Sequence, residues 1–310
     1  MLTIAVIPEA PPTIATLLGW NPQPVPILPL IGVTLAVLYC WGLFRLRASG
    51  TKWQGRRTAS FLFGCGLLIV VTGLGIEGYG HKLFSVWMFQ HLTLSMAIPP
   101  LLVLGSPGRL LLRTAAHHGA GRILLIVALS GLRSRAARIV LNPGVTIPLF
   151  LFSYYGLYLS SLLDIVGSSW IGHIAIELFF LASGLLFIVP ILSTGPLPVR
   201  QSNIGRFFDL FLEMPLHVFF GVIVMMSTSP MVSLFADPPP QWGIDPMTDQ
   251  QLAGGLAWSY GEPIALLIVI VFAVRWNRDE ARTSAVKERR IDDAELTAYN
   301  LYLKSLDPQR

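Results

Sequence analysis

The chain has 310 residues, of which 53% are hydrophobic and only 13% charged, about half the charged share of an average soluble domain. Charge this sparse, gathered into blocks between long apolar runs, excludes an ordinary soluble domain and reads as an all-α polytopic membrane protein. The formal net charge of +5 would suit a nucleic-acid partner, but the positions of the charges, taken below, give a topological explanation instead.

The first twenty residues, "MLTIAVIPEAPPTIATLLGW", lack the basic start of a signal peptide. They are expected to be retained as a short proline-rich arm. Seven apolar runs follow, at about 27–45, 57–77, 83–105, 143–163, 169–192, 206–229 and 251–275. Each is long enough to cross a hydrocarbon core of about 30 Å at about 1.5 Å per residue. The stretch 109–140 has arginines at intervals and no spanning run, and is expected to form amphipathic helices on the membrane surface. Residues 276–310 read as a charged, helix-forming tail, so the domains are 1–275 and 276–310. Cys40 and Cys65 both fall in apolar runs, where a disulfide framework is not indicated.

Lysine and arginine set the orientation. They gather in the first connection, in the third, in the fifth and in the tail. Of the 22 such residues only Lys82 falls on the opposite side. The predicted fold is a seven-helix bundle with the N-terminus outside and the C-terminus in the cytoplasm. The basic excess then marks the inner face and attracts anionic lipid.

Ionisable residues inside spans are costly and usually face the bundle interior. Counted from the outer ends at about 1.5 Å per residue, His173 lies roughly 6 Å deep, His91 and Glu177 roughly 12 Å, and His217 and Glu262 roughly 16–18 Å. "GHIAIELFF" puts His173 and Glu177 at i, i+4 on one face, and "FLEMPLHVFFG" does the same for Glu213 and His217, with Pro215 between them. Imidazole with carboxylate on one face suits a metal ligand and its orienting partner, and suits a proton relay equally well. Met88 shares a face with His91 at i−3, and thioethers beside imidazoles select Cu(I). The bland reading is that these histidines only bridge helices and the methionines only pack. His117 and His118, beside arginines in the surface segment, read as solvated. No soluble-enzyme signature is present.

Four stretches together resemble one family. They are "MFQHLTLSMAIPPLLVLGSP" in the third span, "MPLHVFFGVIVMMS" in the sixth, "DQQLAGGLAWSYGE" entering the seventh and "DAELTAYNLYLKSL" in the tail. In order and spacing they are similar to the multi-spanning cytochrome c oxidase assembly factors of the CtaG type, in their actinobacterial branch. Some members of that branch carry the unit fused to a copper-resistance membrane domain, for which this chain is expected to have no room N-terminally. The resemblance implies a non-enzymatic role in maturing a haem-copper oxidase in the bacterial plasma membrane, with copper supply as the favoured part. It implies as partners the oxidase catalytic subunit and other assembly factors. His91 matches the Q-H-L position, His217 the M-P-x-H position, Asp249 and Glu262 the D-Q…G-E pair, and His173 the histidine opening the fifth span. The sequence departs where many members have a second histidine after His173, offering Glu177, Leu178 and Phe179, and where "SYYGLY" replaces an aromatic-histidine pair in the fourth span.

On this reading His91, His217 and His173 would hold Cu(I), while Glu177, Asp249, Glu262 and Met88 would orient the ligands or admit the ion. The glycines of "AGGLAW" offer a face for a partner helix. The competing readings are a metal-free scaffold of the respiratory complex and a metal- or proton-coupled transporter. Against the last, no inverted repeat is evident.

Overall fold

The computed structural model describes residues 5–115, 119–192 and 201–306, and among these every regular element is helical. His117 and His118 lie outside the described residues. In chain order the helices are α1 (Ile14–Leu17), α2 (Ile27–Ala48), α3 (Gly55–Gly73), α4 (Gly75–Gly80), α5 (Phe84–Leu92), α6 (Ile98–Leu104) and α7 (Pro107–Thr114). They continue with α8 (Gly119–Arg133), α9 (Arg135–Val140), α10 (Pro143–Leu151), α11 (Leu162–Gly167), α12 (Trp170–Leu192), α13 (Asn203–Met226) and α14 (Pro246–Leu306). The compact units are Met1–Leu266 and Leu267–Arg310, the second helical through Leu306 as the later part of α14.

Among the described residues, six helical stretches are long and apolar enough to cross a membrane: Ile27–Ala48, Gly55–Gly73, Phe84–Thr114, Trp170–Leu192, Asn203–Met226 and Pro246–Arg278. The fourth predicted span, 143–163, is the exception. It runs as helix from 143 to 158 and then turns at Ser160 and Ser161. At about 1.5 Å per residue that gives roughly 24 Å, short of a hydrocarbon core of about 30 Å. The second predicted span, 57–77, also ends early. Leu74 takes an extended conformation after Gly73, and the Gly75 N–H donates to the Gly19 carbonyl of the N-terminal arm at 3.0 Å. Glu77 is thereby carried off the span and onto α4. The predicted surface segment 109–140 holds the three short helices α7, α8 and α9.

The third span lies at the centre. Of its apolar window 72% is buried, against 28–56% for the other five. Within it a π-helical segment, Thr93–Ala97, separates α5 from α6. Pro99 and Pro100 follow after Ile98, and neither can donate the backbone bond that the carbonyl four residues earlier would receive, which loosens the ladder there. A second π segment, Phe152–Gly156, follows α10. The two meet at a hydrogen bond between the Ser95 and Tyr154 hydroxyls, 3.1 Å long. Helix α12 packs on the first π segment and on α6. Gly184 permits that approach, since a Cβ there would strike the Ser95 backbone.

A cap closes the end of the bundle that bears α4. Tyr79 and Leu83 pack with Trp242 from the α13–α14 connection, and Ile7 and Leu17 of the arm lie against them. The Tyr79 hydroxyl donates to the Ala10 carbonyl at 2.8 Å. At the far end, Arg57 and Arg113 both sit on the Trp53 ring, so two of the arginine-bearing connections meet there.

Candidate metal centre

Beneath the cap, α4 and α12 each present an i, i+4 pair. Glu77 lies on α4 and His81 follows its last turn; His173 and Glu177 lie on the first turns of α12. The ligand atoms of Glu77, His81 and His173 fall within 4.8 Å of one another. His173 Nε2 is 3.1 Å and His81 Nε2 3.9 Å from the same Glu77 oxygen, Oε1. The two imidazoles stack, with centroids 3.8 Å apart, and the Trp87 ring tilts against His173 at 4.6 Å. Gln90 of α5 donates to the other Glu77 oxygen at 2.7 Å and to the Val71 carbonyl at 3.1 Å. Gly80 makes that reach possible, because a Cβ there would overlap the Gln90 amide.

The cluster is largely buried and incompletely bonded. His173, Glu77 and Glu177 are buried, while His81 is partly exposed. Among the described residues, and despite the short distance to Glu77, His173 makes no aligned hydrogen bond through Nε2, nor any through Nδ1, and Glu177 Oε1 also has no partner. Buried polar groups are ordinarily satisfied, so these orphans mark a place where another species fits. A cavity of about 30 Å³ opens among Glu77, His81, His173, Glu177, Trp170 and the chain from Gln23 to Pro29, room for about one ion or water. Zinc-type bonds of about 2.0–2.2 Å at tetrahedral angles put donor atoms roughly 3.3–3.6 Å apart, and the two observed separations bracket that range. Burial pushes the Glu77 carboxyl up, but the imidazoles of His173 and His81 outweigh it and hold the group below the usual glutamate range. Burial, with His173 adding to it, lowers His81 to about 3, so its ring is neutral and can serve as a ligand near pH 7.

The predicted site residues separate. His173 joins this centre, with Glu177 beside it. His91 and His217 do not belong to the group; they lie on different contacts of Tyr154, at ring-centroid distances of 4.3 and 5.0 Å. Both His91 nitrogens are engaged. The Ser153 hydroxyl donates to the Phe150 carbonyl at 2.6 Å, so its oxygen accepts from His91 Nε2–H at 3.4 Å. His91 Nδ1 therefore accepts from the Tyr158 hydroxyl at 3.0 Å. Phe180 stacks on the ring at 3.8 Å. Met88 is buried on α5. His217 has no hydrogen-bond partner on either nitrogen among the described residues, and its Nδ1 lies 4.0 Å from Glu262 Oε1. Asp249 caps α5 from α14: it accepts the Phe84 N–H at 2.6 Å, the Ser85 N–H at 3.3 Å and the Ser85 hydroxyl, satisfying donors that the helix start leaves free. Its neighbour Gln250 holds the α13–α14 connection, accepting the Met231 N–H at 2.8 Å and donating to the Ser229 carbonyl at 3.2 Å.

Glu77 and His81 are the centre's residues that sequence reasoning missed. "EGYGH" carries the same i, i+4 carboxylate–imidazole signal that singled out His173 and Glu177. That signal is masked by its position, at a predicted span end and connection. Gln90, too, stood in the shadow of the histidine after it.

Residues 37–279 match the family model described as cytochrome c oxidase caa3 assembly factor. An uncharacterized protein of Mycobacterium bovis is 35% identical over 97% of this chain and 46% of its own length, and one of Mycobacterium leprae is 34% identical over 91% and 44%. The chain thus spans about half the length of the curated relatives it matches. No solved structure matches it.

Proposed function

The chain belongs to the cytochrome c oxidase caa3 assembly factor family, and from that premise we propose that it serves a haem-copper oxidase by handling copper within the membrane. It works without catalysis, as a seven-helix protein of the bacterial plasma membrane with the arginine-rich connections in the cytoplasm and the cap outside. The short fourth helix completes the seven. Copper is its cargo, received under the cap and passed toward the oxidase's membrane subunit, with other assembly factors as further partners. His173 carries the reading: its ring nitrogens lack hydrogen-bond partners beside Glu77 and His81, whereas a histidine that only ties helices together has both nitrogens bonded, as His91 has. His217, also without hydrogen-bond partners and deeper by sequence, is the residue placed to take copper onward, with Glu262 beside it.

The test is the oxidase made in a strain lacking this protein. It should retain haem and lose copper from its membrane subunit, and a chain with His173→Ala should not restore it. An oxidase with its full copper complement in that strain would overturn the reading. The engaged nitrogens of His91 and the capping role of Asp249 favour a second reading, a scaffold whose polar groups serve its own fold. A His173→Ala chain that restores the oxidase fully would decide for it.

A further inference from the structure

The donors beneath the cap also indicate which form of metal they fit. Among the described residues, no cysteine or methionine lines the cavity. The available donors are two imidazoles, His81 and His173, and two carboxylates, Glu77 and Glu177. Thioether and thiolate ligands select Cu(I), whereas imidazole and carboxylate suit divalent ions such as Cu(II) and Zn(II).

We infer that Glu77, His81, His173 and Glu177 form a binding site for one divalent transition-metal ion, Cu(II) or Zn(II), rather than for Cu(I). The inference deepens the copper-handling reading and rests on it for the biological cargo. His81, the most exposed of the four, is the ligand that meets the ion first. Gln90 is a positioning residue: it holds Glu77 Oε2 and so turns Oε1 toward the two histidines. Partners of this kind typically contribute about 10–100-fold to metal affinity.

The experiment uses the full chain purified in detergent and titrated separately with Cu(II), with Zn(II), and with Cu(I) against a calibrated chelator. One Cu(II) should bind per chain, with nitrogen hyperfine structure from two imidazoles in its paramagnetic resonance spectrum. His81→Ala and His173→Ala should each remove one nitrogen and weaken binding at least tenfold. Gln90→Leu should weaken binding by about 10–100-fold with both nitrogens retained. Glu177→Gln keeps the side-chain shape while removing its charge, and should weaken Cu(II) without moving the unfolding midpoint. Cys40→Ser, at an exposed position away from the cavity, should leave the spectrum unchanged. Cu(II) binding that survives both histidine variants, or retention of Cu(I) alone, would overturn the inference. Retention of Cu(I) alone would leave the copper-handling reading standing, and that reading falls separately if the deletion strain's oxidase is fully metallated.

Discussion

At the scale of single residues, the chain uses histidine in two distinct ways. His91 is locked: a serine oxygen accepts from its N–H, a tyrosine hydroxyl donates to its lone pair and a phenylalanine covers its face. Tyr158→Phe would leave Nδ1 a buried acceptor without a donor, at a cost of about 1–3 kcal/mol. Thermal unfolding in detergent should register that loss, while Cu(II) affinity stays at the wild-type value because His91 lies outside the centre. A large fall in affinity would return His91 to the ligand set. The distinction was not visible from the sequence. Depth along a helix places His91 and His173 in the same half of the bundle, but depth says nothing about direction around the helix or about which neighbour supplies a hydroxyl. His173 with Glu177 was legible because both lie on one helix face. The convergence of Glu77 and His81 on them needed the break at Leu74, which folds α4 back beneath the arm.

At the scale of helices, the glycines of "AGGLAW" divide their work. Gly254 sits where α14 crosses α13: a Cβ there would lie 2.6 Å from the Met225 nitrogen and 2.7 Å from the Gly221 carbonyl. Gly255, one residue on, has nothing within 4 Å. Part of the face expected to meet a partner is therefore already used inside the bundle, and Gly255 marks the part still open. Gly254→Leu should force the helices apart, with a penalty of about 1–3 kcal/mol or more, seen as a lower unfolding midpoint and poor recovery from the membrane. Gly255→Leu should fold like the wild type. Equal damage from the two would mean that the crossing is not where the close approach occurs. Some span ends are legible in the sequence to within a few residues, as at Ile27–Ala48, Trp170–Leu192 and Asn203–Met226. Others are not: the second span is cut short by the arm, the third runs on to Thr114 and the fourth is cut short by its serines, and none of these shows in an apolar count.

At the scale of the whole molecule, charge sorting predicts which end faces the cytoplasm. Gln241→Cys, in the exposed part of the α13–α14 connection, should react in intact cells with a maleimide that cannot cross membranes. A reporter fused after Arg310 should be active only inside. Both tags on one side would overturn the orientation and with it an outer location for the centre. The two π segments bear on the bundle in another way. Each winds one surplus residue into its helix, and the two are keyed together where Ser95 meets Tyr154. Removing one residue from 93–97 would restore ordinary winding and turn everything on one side of the cut by about 100° relative to the other. Gln90 would then lose Glu77, or Pro99 and its neighbours would lose their seats against α12. Such a bundle forgives changes of letter along its spans more readily than changes of count.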